Sequence, residues 1–89
     1  MKLLYKKSFT KSYQVLGHKM RDKVKGVLQI FMLNPMDKEL RNHGLEGKYK
    51  GKRSIDVTGD IRIIFKEISD GKYELVEIYD VGTHAQLYK

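Results

Sequence analysis

The residues best suited to chemistry in this 89-residue chain lie between His43 and Arg62 and in the last few positions. The stretch opens on His43, sets Lys48, Lys50, Lys52 and Arg53 among Gly44, Gly47 and Gly51, and runs on through Asp56, Asp60 and Arg62. Its second half alternates with a period of two: Ile55 and Val57, then Ile61, Ile63 and Phe65 beyond Thr58-Gly59, which reads as a β-hairpin. With those apolar residues facing a core, Ser54, Asp56, Asp60 and Arg62 face away from it. Two carboxylates and a guanidinium on one open face, beside a cationic loop that carries a histidine, suit a phosphodiester.

The rest of the chain must hold that hairpin. Leu3, Leu4 and Tyr5 form a short opening strand. Ser8 is placed to cap a helix carrying Phe9, Tyr13 and Leu16, which Gly17 ends. A second helix spans Lys19 to Leu33, with Met20, Val24, Val27, Leu28, Phe31 and Met32 on one core-facing stripe, and Asn34-Pro35 stops it. Pro35 to Asn42 makes one short helical turn with Leu40 inward. After the hairpin, Ser69-Asp70-Gly71 turns the chain into a strand from Lys72 to Val81, and Thr83 caps a final helical turn. The expected fold is therefore α+β: a small antiparallel sheet, made of the N-terminal strand and a C-terminal three-stranded meander, packed on two N-terminal helices.

Length and composition narrow the class. One domain, residues 1–89, fills the chain. No apolar run is long enough to cross a bilayer, and the lysine-flanked N-terminus lacks the apolar block of a secretory signal, so a cytoplasmic protein without membrane contact is expected. The absence of cysteine rules out disulfides and thiolate metal sites, and three scattered histidines do not form a zinc set, so no metal or other cofactor is expected. A net charge of +7, from 18 Lys+Arg against 11 Asp+Glu, favours a polyanion, either nucleic acid or an acidic protein that covers the same surface.

Two groups of residues resemble the RelE/ParE superfamily of toxins, and its YafQ-like ribonuclease branch in particular. The first is His43-Gly44-Leu45-Glu46-Gly47 followed by Lys50-Gly51, Arg53 and Asp60; the second is the tail Gly82-Thr83-His84-Ala85-Gln86-Leu87-Tyr88. Element order and length match over essentially the whole chain. The resemblance implies a RelE-like fold and a toxin that enters the ribosomal A site, cuts mRNA there and is held inactive by a partner antitoxin. It implies catalytic positions at His43, Asp60 and His84, a terminal aromatic at Tyr88, and a phosphate-binding role for Arg62 like that in the RelE branch proper. Asp56 stands where the branch commonly has a second histidine, and Ile61 where some members have tryptophan.

Such chemistry needs no metal if the RNA's own 2′-hydroxyl attacks the adjacent phosphorus. The protein then supplies a base for that hydroxyl, cations for the crowded phosphorane and an acid for the departing 5′-oxygen, and histidine suits both proton transfers near neutral pH. His84 is the expected acid and His43 the base or a second acid; Asp60 either orients a histidine or merely braces the Thr58-Gly59 turn. Asp56 either replaces the missing histidine or pairs with Arg53 or Arg62. Arg62, flanked by apolar residues, needs a carboxylate, solvent or a phosphate, and is expected to stabilise transition-state charge. Lys48, Lys50, Lys52 and Arg53 are expected on RNA phosphates, with Tyr49 interleaved, and Tyr88 either on a base or packed in the interior. His18 reads as a surface residue. Two other readings stand beside the nuclease: a non-enzymatic ParE-like toxin acting on a protein such as DNA gyrase, and an inactive RNA-binding module.

Overall fold

A computed structural model describes residues 1–89. Strand β1 (Lys2–Tyr5) leads into helices α1 (Lys7–Gln14) and α2 (His18–Leu33); a 3₁₀ turn at Lys38–Leu40 precedes β2 (His43–Gly44) and another at Gly47–Tyr49 precedes β3 (Arg53–Asp56). Strands β4 (Ile61–Glu67) and β5 (Leu75–Thr83) follow, then the single-turn helix α3 (His84–Leu87). No helix is long and apolar enough to cross a membrane.

The strands form one sheet in the order β1-β5-β4-β3-β2. The expected α+β layering is present, with a difference at the two edges. β1 joins β5 in parallel rather than antiparallel, and the loop adds a fifth strand, β2, against β3. Both pairings depend on long-range contacts that a local pattern does not encode. Helices α1 and α2 cover one face, where Val24, Phe31, Ile55, Ile63, Phe65, Val76 and Ile78 are fully excluded from solvent. Burial of each such side chain contributes roughly 1.5–3 kcal/mol, so this layer dominates stability.

One irregularity aims the far end of the sheet. Ile64 pairs with Asp80 but Phe65 pairs with Ile78, so Tyr79 is an extra residue, a β-bulge. The bulge shifts the alternation: Val76 and Ile78 face the helices, then Val81 instead of Asp80. Its freed groups are satisfied from α1. Ser8 Oγ donates to the Tyr79 carbonyl, and Ser12 Oγ donates to Asp80 Oδ1 at 2.6 Å. Ser8 is thereby diverted from the capping role its position suggests, and Lys6 is the N-cap of α1 without a side-chain bond.

The other face carries its own small core of Tyr49, Ile64 and Leu87, with Leu45 and Tyr79 against it. This face is thus only partly open. Thr83 caps α3 as expected: its hydroxyl accepts from Gln86 N, and Gln86 Oε1 accepts from Thr83 N. A Cβ at Gly82 would lie 2.9 Å from Gln86 Oε1, so a glycine lets the tail fold back here. The far end of α3 is tied down by the loop, since the Leu87 carbonyl accepts from Tyr49 Oη at 2.5 Å and from Lys48 Nζ at 3.0 Å.

The β4–β5 connection is organised by one carboxylate. Glu67 accepts from Ser69 N, Ser69 Oγ, Gly71 N and Tyr73 N. Ser69 Oγ accepts in turn from Glu74 N and Leu75 N. Tyr73 adopts φ 54°, which delays β5 to Leu75 rather than the expected Lys72 and tucks the ring against Phe31 and Phe65.

Two outcomes follow. The hydrogen bond from Ser69, then those from the backbone amides, hold the Glu67 carboxyl below its ordinary value. The stabilisation is therefore complete at neutral pH and lost as pH falls through the lowered carboxyl value. Glu67→Gln should lower urea stability at pH 7, and the gap to wild type should close below about pH 4; a pH-independent gap would contradict this. Tyr49→Phe should cost about 1 kcal/mol and accelerate hydrogen exchange at the Tyr88 amide, which donates to His84 O, more than at β4 amides; equal acceleration everywhere would contradict a local clamp.

Candidate active site

Strand register assembles the floor of the site. Across the sheet, His43 pairs with Ser54 and Ser54 with Ile64; in the next row Asp56 pairs with Arg62 and Arg62 with Gly82. Side chains in these rows lie on the face away from α1 and α2. Asp56 sits between two arginines, with Oδ1 3.4 Å from Arg62 Nε and Oδ2 3.5 Å from Arg41 Nε. The Arg62 contact is a charge pairing rather than a hydrogen bond, and Arg62 Nε is buried without a hydrogen-bond partner. With Asp56 only 14% exposed, removal of either charge would leave the other poorly compensated.

The two histidines approach this floor from different directions. Arg41 adopts the left-handed conformation, φ 51°, and its carbonyl lies 2.8 Å from His43 Nδ1. A carbonyl only accepts, so Nδ1 carries the proton and Nε2 of the neutral ring keeps its lone pair. His84 is the first residue of α3. Its exposed ring stacks on Tyr88 at 4.5 Å and 24°, and Tyr88 meets Tyr49 edge-on at 5.1 Å. Neither nitrogen of His84 has a protein partner, so the aromatic stack sets its plane and both nitrogens remain available.

A cavity of about 180 Å³ is lined by His43, Ser54, Arg62, His84 and Tyr88 over an apolar side made by Leu45, Ile64 and Leu87. A second, of about 280 Å³, adjoins it, lined by Asp60, Arg62 and His84 with Gly59, Thr83 and Ala85. The clefts share Arg62 and His84, and His43 lines the smaller one with them. No three His, Asp or Glu side chains converge in a way that could hold a metal ion.

His43, Asp60, Arg62, His84 and Tyr88 are therefore brought together, with Asp56 beneath Arg62. Asp60 does not brace the turn; Thr58 Oγ1 does so, accepting from Asp60 N and Ile61 N, and the exposed Asp60 carboxylate is unpaired. Asp56 pairs with Arg62 and Arg41, not Arg53. The cationic run divides. Arg53 shares the helix-side face with Ile55, and its Nε donates to Asn42 Oδ1 at 2.7 Å, so it is not brought to the groove. Lys48 is engaged on the Leu87 carbonyl, and Lys52 lies over the Tyr79 ring at 4.6 Å. Lys50 alone of the four is exposed without a side-chain partner. Tyr49, interleaved in that run, is buried at 3% exposure, and burial followed by the charge of Asp80 raises its pKa. Two contributors escaped the sequence: Arg41, whose left-handed backbone orients His43, and the bulge at Tyr79; Ser54 takes the face that the alternation gave it, without having been assigned to the site. Only the bulge left a signal, the change of apolar parity between Ile78 and Val81.

The comparisons agree with this architecture. A family model described as the bacterial toxin of type II toxin–antitoxin system, YafQ, matches residues 1–89. No curated protein sequence matches significantly. YafQ from E. coli strain BL21(DE3) superposes with a TM-score of 0.81 at 23% identity, covering 99% of this chain and 98% of that one. The E. coli DinJ–YafQ complex gives 0.79 at 25% identity, covering 99% and 98%. A YoeB/ParE toxin from Agrobacterium tumefaciens gives 0.75 at 21% identity, covering 94% and 99%. With the whole length matched and the fold shared, the chain belongs to the YafQ family of toxins from bacterial type II toxin–antitoxin systems.

Proposed function

We propose that this toxin is an endoribonuclease that cuts mRNA in the ribosomal A site without a metal ion. The observation that carries the reading is that His43 and His84, the first with Nε2 unpartnered and the second with both nitrogens unpartnered, line one groove with Arg62. A cavity of about 180 Å³ is on the scale of one phosphodiester with part of its sugar.

The chemistry follows from donor and acceptor capacity. His43 Nε2, with its lone pair free, takes the proton of the ribose 2′-hydroxyl, and the 2′-oxygen bonds to phosphorus. Arg62 balances the charge that accumulates on the non-bridging oxygens. The bond to the 5′-oxygen then breaks, and His84 delivers the proton that this oxygen needs, leaving a 2′,3′-cyclic phosphate and a free 5′-hydroxyl. Asp60, unpaired beside His84, orients that imidazole through its charge. Asp56 stays an ion-pair partner that fixes Arg62, since two cations already claim it. Tyr88, partly exposed, offers its ring to a base, and Lys50, exposed and unpaired, is the cation of the loop left for a flanking phosphate.

The ribosome places the activity in the cytoplasm. An antitoxin partner is inferred from the solved E. coli DinJ–YafQ complex; an acidic or amphipathic segment would suit the excess of cations here. Such a partner masks the basic groove.

Induction of the toxin alone should arrest growth and leave mRNAs cut inside open reading frames. Intact mRNA with gyrase-dependent DNA damage would instead support a ParE-like protein target. His84→Ala should lower single-turnover cleavage on ribosomes about 10²–10⁴-fold. Its fold and antitoxin binding should persist, because the exposed ring makes no hydrogen bond. Unchanged cleavage would remove His84 from the mechanism.

A further inference from the structure

Ser54 is the buried polar residue that the fold leaves unexplained. It is 2% exposed, and its Oγ has no hydrogen-bond partner in the protein. Such a hydroxyl costs free energy unless something satisfies it, and an alanine would pack there without that cost. Other serines in this chain are used: Ser8, Ser12 and Ser69 each hold a named acceptor. Ser54 also lines the smaller cavity. The register locates it further. It is paired directly with His43 on β2, and through its other partner, Ile64, it lies diagonal to Arg62 on β4. Side chains so related stand within about 5 Å directly and about 8 Å diagonally. The orphan hydroxyl therefore lies between the base and the cation.

We infer that Ser54 is a phosphate-binding residue, its Oγ–H donating to a non-bridging oxygen of the phosphodiester held between His43 and Arg62. The inference rests on the nuclease reading and names one contact within it. A neutral donor is suited to this place. Asp56 already sets a negative charge under Arg62, and a hydroxyl contributes a directed bond without another cation competing for that carboxylate. The same oxygen gains charge as the 2′-oxygen bonds to phosphorus, so the hydrogen bond strengthens towards the transition state.

The test is Ser54→Ala in the full-length toxin, read in three ways. Its melting temperature should equal or exceed that of the wild type; a clear fall would show that the hydroxyl has a structural partner and overturn the inference. Titration with inorganic phosphate, followed by nuclear magnetic resonance at the residue-54 amide and the Arg62 Nε–H, should saturate in the wild type and weaken at least fivefold in the variant. Identical titrations would overturn it. Single-turnover cleavage of ribosome-bound mRNA should fall about 10–100-fold with ribosome affinity unchanged. Sulfur at the contacted non-bridging oxygen should slow the wild type more than the variant, because sulfur accepts hydrogen bonds poorly. Equal sulfur effects would count against the contact. Should the wild type cut no RNA, the nuclease reading fails by itself, while the phosphate titration still decides whether Ser54 binds the anion.

Discussion

The placement of the tail depends on one carbonyl. Leu87 O receives the phenol of Tyr49 and the ammonium of Lys48, and both donors come from the glycine-bounded loop before β3. Without that anchor, α3 is a single turn at a chain end, too short to persist on its own. With it, Leu87 packs on Ile64, Tyr88 leans on Tyr49, and His84 is stacked on Tyr88. The imidazole is held by a chain of rings that begins in a buried tyrosine. The loop's cations therefore differ in use: Lys48 anchors the tail, and Lys50 stays exposed without a side-chain partner.

The bulge at Tyr79 supplies the complementary constraint. It turns β5 by one residue, so Val81 fills the helix-side core and Gly82 comes opposite Arg62. Ser8 and Ser12 of α1 satisfy the groups this frees, which links the first helix to the direction of the tail. Arg41 does comparable work for His43. Its left-handed backbone is strained, of the kind that persists where the surroundings over-determine it, and here the gain is a fixed tautomer on the facing imidazole. The network around Arg41, Asp56 and Arg62 joins the two histidine supports into one charge array.

Much of this was legible in the sequence where local chemistry speaks. The alternation from Ile55 to Phe65 identified the hairpin and put Asp56, Asp60 and Arg62 on the face opposite its apolar side, and the Thr83 cap followed from residue type. The misreadings share one cause. A charge run says nothing about which face each cation takes, so Arg53, one step out of phase with Ser54, falls on the helix side beside Asn42. Tyr49 is buried because Leu87, distant in sequence, covers it. The parallel edge of β1 and the diversion of Ser8 are likewise long-range events. The alternation put Ser54 on the open face, but its missing partner was not legible, because an unsatisfied hydroxyl exists only once all its neighbours are placed.

The loop acts on the chemistry through His84, and a double-mutant cycle measures that coupling directly. Single-turnover cleavage of ribosome-bound mRNA would be compared for wild type, Tyr49→Phe, His84→Ala and the pair. If Tyr49 works by holding the imidazole, its substitution slows the wild type but changes nothing once His84 is gone. Equal slowing in both backgrounds would contradict this coupling and show that the clamp and the histidine act independently.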